Sequence, residues 1–252
     1  MLSNIWMQCA GSSERRALRV TAWRVVEAQH QLSTRKLVHS AAEQELLEEM
    51  IEGVKPRNVA SEKLHFLLFT PFRYPPLRHG SRFGTRNARG IWYGSELQQT
   101  AFAEVAYYRL LFLAGTHAEF DALSTTLTSF TTLLQSSLGI DLASAPFDAY
   151  HDRISSPISY AESQALGAAM REDGIELFRY PSARDTQGAC NVGAFSHLVF
   201  RRAKPRSFET WHCTATRNIV EFLRPSFVGK RERLAFARSQ FEAGGVLPSP
   251  AV

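Results

Sequence analysis

The chain has no apolar run near the ~20 residues a membrane-crossing helix needs, and its amino end, MLSNIWMQCAGSSERR, lacks the apolar core of a signal peptide. A cytoplasmic protein with no membrane role is the expectation. Only three cysteines occur, Cys9, Cys190 and Cys213, far apart and without C-x-x-C spacing. That argues against a disulfide framework and against a structural zinc site. His212 beside Cys213 is the nearest thing to a ligand pair, but adjacent residues chelate poorly, so no metal is expected. Also missing are a Walker A sequence, a G-x-G-x-x-G fingerprint and a G-x-S-x-G elbow, which argues against P-loop, Rossmann and serine-hydrolase chemistry. Finally, no acidic residue lies between Glu62 and Glu96, while Lys63, Arg73, Arg78, Arg82, Arg86 and Arg89 all do. A field of that sign favours a phosphate-bearing partner, either nucleic acid or a small anionic ligand.

What is present is ordinary for a folded protein: 252 residues, 44% hydrophobic and 21% charged, enough chain for a sizeable core. Leu18, Ala22, Val25 and Val26 recur at helical spacing, predicting a helix over 14–30, although Val-rich runs also suit strands. Ser40 and Glu43 make a capping box for a second helix, which Gly53 ends. Residues 1–60 therefore read as a helical N-terminal extension and 61–225 as the main domain. Within that domain HFLLFTPF reads as a β-rich run, RYPPLRHGSRFGTRNARG as loop, and GIWYGS as a short strand. Thr100 caps a helix that presents Phe102, Val105, Ala106, Leu110 and Leu113 and stops at Gly115. A strand is expected within 117–135, a helix over 157–172, and strands in DGIELFRYPSA and NVGAFSHLVF. Residues 226–252 read as a C-terminal tail with a basic stretch, KRER, finishing in a loose GGVLPSPAV. This irregular interleaving predicts an α+β fold, a compact mixed or antiparallel sheet with flanking helices.

Few residues stand out chemically. Glu104 has no Lys or Arg three or four positions away and sits among Phe102, Ala103, Val105 and Ala106. Either it lies on an exposed helix stripe or it faces a cleft, where it would be desolvated. The Arg/Gly loop offers backbone N–H groups and guanidinium forks that suit a diphosphate; a turn with solvated arginines fits it equally. Trp92 and Tyr93 alternate along a strand, so one joins the core and the other faces away. Ser182, after Pro181, has the position of a turn or cap residue, as does Asn191.

Taken in order and spacing, RYPPLRHGSRFG, GIWYGSELQQTAFAEVAYYRLLF, DGIELFRYPSA and NVGAF resemble the RES-domain family over about residues 65–200. The resemblance implies an ADP-ribosyltransferase-like fold. It implies a bacterial toxin that depletes NAD+ by cleaving the nicotinamide–ribose bond, with water or phosphate as acceptor. An Xre/DUF2384-type antitoxin is the implied partner. Carried over by motif, Arg82, Tyr93, Glu104 and Ser182 are the implied catalytic residues, with Arg73 and Asn191 as NAD-binding positions. Where the family loop often reads G-x-R-W-N, Phe83 and Gly84 stand here. NAD+ is then a substrate, inorganic phosphate a co-substrate at most, and no tightly bound cofactor is implied. Other readings stay open: ADP-ribosyl transfer to a protein, an inactive RES module, or a nucleic-acid-binding module using residues 73–89. A homodimer is left open as well.

Overall fold

A computed structural model describes residues 4–28, 63–73, 80–117, 121–225 and 232–249, with isolated positions between 40 and 50. Its strands are β1 (Arg16–Glu27), β2 (Trp92–Ser95), β3 (Leu123–Asp141), β4 (Leu177–Pro181), β5 (Cys190–Ala194), β6 (Arg206–Ala215), β7 (Ile219–Arg224) and β8 (Glu232–Ala237). The helices are α1 (Ile5–Gln8), α2 (Phe66–Arg73), α3 (Gln98–Gly115), α4 (His151–Ile154) and α5 (Ala161–Glu172). All eight strands join one mixed sheet in the order β1-β2-β5-β4-β3-β6-β7-β8, and β1 also pairs with β3. Pairing therefore runs from β1 through β2, β5, β4 and β3 back to β1. The fold is α+β, as expected.

The long strand β3 organises this sheet. Its middle pairs antiparallel with β1 from Leu127↔Glu27 to Gly139↔Arg16, and its first half pairs with β6 on the other edge. Its last residues pair parallel with β4 through Gly139↔Leu177, Ile140↔Phe178 and Asp141↔Arg179. A parallel pair needs a crossover, and α4 and α5 supply it.

Three expectations are corrected. Residues 16–27 form strand, not helix: Val20, Thr21, Val25 and Val26 suit a pleated surface, and the long ladder to β3 decides the matter. The expected extension over 1–60 thus contributes a sheet strand. HFLLFTPF is helical at Phe66–Arg73 despite Pro71. Its first turn is held by His65, whose Nδ1 accepts from Leu67 N–H and whose carbonyl accepts from Leu68 N–H. Leu67, Leu68 and Phe69 are all buried. The tail over 226–252 is not wholly loose, because β8 adds an edge strand and Phe236, Phe241 and Leu247 enter the core. Ser40 Oγ does accept from Glu43 N–H at 3.1 Å; most of the helix expected after it, and residues 74–79 of the loop, lie outside the described residues.

Helix α3 packs through Phe102, Ala106, Leu110 and Leu113 against Trp211, Phe222 and Phe236. Phe102 is wholly buried, 4.6 Å from Trp211 and 4.7 Å from Phe222 between ring centroids. Burying a side chain of that size stabilises by roughly 2–3 kcal/mol. The start of α3 is tied to β4 and to the β4–β5 connection. Arg179 on β4 takes both oxygens of Glu96, at 2.7 and 3.0 Å, and reaches Asp141 at 3.2 Å. Thr100, expected as the cap, lies inside the helix, which starts at Gln98, and donates to Asp185.

Candidate functional site: a carboxylate held by two neutral donors

Glu104 lies on α3, half-buried, facing the ends of β4 and β5. Its Oε1 accepts from Ser182 Oγ at 2.8 Å and from Asn191 Nδ2 at 2.6 Å. Asn191 is 2% exposed and has its other amide atom occupied, since Oδ1 accepts from Ser95 Oγ at 2.6 Å. That fixes which end of the amide meets the carboxylate. Ser95 and Asn191 are direct cross-strand partners on β2 and β5. Ser182 is also buried, and its Oγ accepts from Arg184 N–H at 3.1 Å. Glu104 makes no ion pair among the described residues. Two residues distant from α3 in sequence thus meet at one oxygen of Glu104.

The arginine loop is a tight turn. Ser81 N–H donates to the Gly84 carbonyl at 2.7 Å, and Gly84 N–H returns to Ser81 at 3.3 Å, placing Arg82 and Phe83 at the corner. Gly80 enters it at φ +77°, a conformation open to glycine. The Tyr93 hydroxyl accepts from Phe83 N–H at 3.2 Å and meets Ser81 Oγ at 3.0 Å. Burial pushes the Tyr93 phenol up to about 12, even though these bonds and the charge of Arg82 oppose the shift. Phe83 is buried with its ring edge-on to Phe178 and Tyr180, 4.8 Å from each. Phe83 and Gly84 thus keep this turn closed without a Trp-Asn pair. Across from it, α5 approaches at Gly167, where a Cβ would fall 2.1 Å from the Phe83 carbonyl oxygen.

Arg82 is 8% exposed, lies 4.7 Å over the Tyr160 ring and donates to the Ser156 carbonyl at 2.8 Å. Tyr160 in turn meets the Tyr108 hydroxyl at 3.3 Å, and Tyr108 is one turn beyond Glu104 on α3. Between the turn and the carboxylate stands Tyr180. Burial, and after it the charge of Glu104, pushes this phenol well above its ordinary value. Tyr108 also lines a cavity of about 310 Å³ with Val25, Glu27, Val105, Arg109 and Phe112.

Of the six positions singled out in the sequence, Glu104, Ser182 and Asn191 are joined by hydrogen bonds. Arg82 sits in the adjoining turn, to which Tyr93 on β2 is hydrogen-bonded. Arg73 is not among the partners of Glu104; it ends α2, next to Phe72, which packs on His197 and Phe200. Sequence reasoning passed over Ser95, Tyr107, Tyr160, Tyr180 and Arg184. Arg184 carried the best available signal, two residues after Ser182 in P-S-A-R, but an arginine in a loop reads as solvated. All three cysteines are free and buried. No helix among the described residues is long and apolar enough to cross a membrane.

The model of the RES domain matches residues 55–215. The chain belongs to the RES-domain family. No curated protein matches it. RES domains are toxin-like and related to NAD, and the match spans Arg82, Tyr93, Glu104, Ser182 and Asn191 but ends before β7, β8 and the C-terminal segment.

Proposed function

We propose that this RES domain cleaves the nicotinamide–ribose bond of NAD+, passing ADP-ribose to water or phosphate, and that an Xre/DUF2384-type antitoxin restrains it. The observation that carries this reading is the setting of Glu104: a carboxylate gripped by two neutral donors, with no cation paired to it among the described residues. Such a charge is free to face a developing positive centre. In the cleavage, the C1′–N bond breaks and its electron pair stays on nicotinamide, which leaves neutral. The ribose carbon is left oxocarbenium-like, opposite Glu104. Water then adds hydroxide to C1′ and releases a proton, or a phosphate oxygen forms the new bond. Ser182 and Asn191 hold the carboxylate in place, and the Arg82 turn, seated on Tyr93, supplies positive charge for the diphosphate.

Purified protein mixed with NAD+ should release nicotinamide, followed by chromatography. Glu104→Gln keeps shape and removes charge, and should slow release about 100-fold or more. Equal turnover by the variant would sink the assignment. With labelled NAD+ in a lysate, soluble ADP-ribose or its phosphate is expected; label retained on a protein band would instead mark transfer to a protein.

A further inference from the structure

Arg184 is the most deeply buried arginine at the site, 4% exposed. Its guanidinium lies 3.5 Å from the centre of the Tyr107 ring, and Nη2 donates to the Pro157 carbonyl at 3.2 Å. Its Nη1 is buried and has no hydrogen-bond partner among the described residues. No carboxylate pairs with it among the described residues. The adjacent Asp185 is turned away, accepting from Thr100 and from Gln187 N–H, while Glu104 is taken by Ser182 and Asn191. Arg82 likewise pairs with no carboxylate among the described residues; the Ser156 carbonyl, which accepts from its Nη1, and the Tyr160 ring hold it. The two arginines thus hang from consecutive carbonyls, with tyrosine rings beneath them. Both charges, and that of Glu104, act on Tyr107.

A guanidinium stays charged in a protein, and a buried charge without a counter-ion is costly. A carbonyl and an aromatic face offset only part of that, and neither fills Nη1 of Arg184. Two neighbouring forks over rigid rings match two linked phosphates better than a single small anion. We infer that Arg184 is a ligand-binding residue which, with Arg82, clamps the diphosphate of the substrate. That the diphosphate belongs to NAD+ rests on the function proposed above; the clamp rests on the geometry. The ring beneath Arg184 is itself fixed from outside the family match. The Tyr107 hydroxyl donates to the Pro248 carbonyl at 2.6 Å, and Leu247 beside it is buried in the core of α3. The C-terminal segment therefore backs the clamp.

The test measures ADP binding by calorimetry in the full chain, with adenosine as the phosphate-free control. The wild type should bind ADP at least tenfold more tightly than adenosine; equal affinities would overturn the clamp without any variant. Arg184→Gln should lose tenfold or more in ADP affinity and raise KM for NAD+ by a similar factor, leaving nicotinamide riboside, which has no diphosphate, as poor or good a substrate as before. Arg184→Lys keeps the charge but not the fork and should lose several-fold, which covers the case in which the glutamine variant does not fold. Tyr107→Phe, which frees the ring from Pro248, should weaken ADP binding by a smaller factor. Undiminished ADP affinity in the folded Gln and Lys variants refutes the clamp whatever the turnover. Loss of ADP binding in those variants, alongside a wild type that releases no nicotinamide, would keep the clamp and remove the NAD+-cleaving reading.

Discussion

Asn191 offers the sharpest separation between holding the charge proposed to be catalytic and holding the proposed substrate. Its motif position implied NAD binding, whereas its amide is committed at both ends, to Glu104 at 2.6 Å and to Ser95 at 2.6 Å, and it is 2% exposed. A hydrogen bond to a charged group contributes about 1.5–3 kcal/mol, and each 1.4 kcal/mol is tenfold in rate. Asn191→Ala should therefore lower kcat for nicotinamide release by about 10- to 150-fold if the whole bond serves to aim Glu104. KM should move little. Ser95→Ala removes only the neutral bond that orients the amide, about 1 kcal/mol, and should cost about fivefold. Asn191→Asp reverses the interaction by setting a second carboxylate against Glu104. Two such groups share a proton, and one pKa rises. A carboxyl whose folded pKa is raised contributes fully below its unfolded value of about 4 and loses that contribution as pH rises through the raised value. The Asp variant should therefore unfold more readily at pH 7 than at pH 4.5 relative to wild type. The reasoning fails if Asn191→Ala raises KM while leaving kcat intact, since the side chain would then serve the ligand.

Two further outcomes test how the site is supported. Gly167→Ala places a methyl 2.1 Å from the Phe83 carbonyl oxygen, so α5 or the arginine turn must shift, at about 1–3 kcal/mol; a melting temperature unchanged from wild type would deny this close approach. Asp141 is held below its ordinary value: burial alone would raise it, but the Ser144 hydroxyl, the Ala143 N–H and Arg179 together outweigh burial. A depressed carboxyl contributes above its unfolded value of about 3.9 and loses that contribution as pH falls through its folded value. Urea unfolding of wild type should thus weaken below pH 4 more steeply than that of Asp141→Asn, and parallel profiles would contradict the pairing.

What the sequence made legible was local. Helix α3 announced itself through Phe102, Val105, Ala106, Leu110 and Leu113, strands β2, β4 and β5 through short apolar runs between turn residues, and Glu104 through its lack of neighbours to pair with. What it hid was decided by distant partners. Residues 16–27 fit a helical period as well as a strand, and only the ladder to β3, more than a hundred residues on, separates the two. Phe66–Arg73 has the composition of a strand and the start of a helix, with His65 supplying the first-turn bonds that composition does not reveal. The C-terminal residues look loose because Gly244 and Gly245 interrupt them, yet Phe241 and Leu247 are buried on either side.

The same distinction explains why the candidate site was only half visible. Arg82, Glu104 and Ser182 stand in motifs that can be read one at a time. Ser95, Tyr107, Tyr160 and Arg184 gain meaning only once β2 lies beside β5 and the crossover between β3 and β4 brings Ser156 and Pro157 over the arginines. A buried arginine is the clearest case. On a chain that is 21% charged, one more guanidinium after a serine carries no signal. In the fold it is a cation with one nitrogen unpartnered and no carboxylate paired with it among the described residues. Pairing it with an acid would make a self-satisfied structural salt bridge. Leaving it unpaired keeps the interaction available to a ligand, in the same way that Glu104, gripped only by neutral donors, keeps its charge available to a cationic centre. Opposite charges at the two ends of one site, each without a counter-charge among the described residues, suit a substrate that carries a positive nicotinamide at one end and a negative diphosphate at the other.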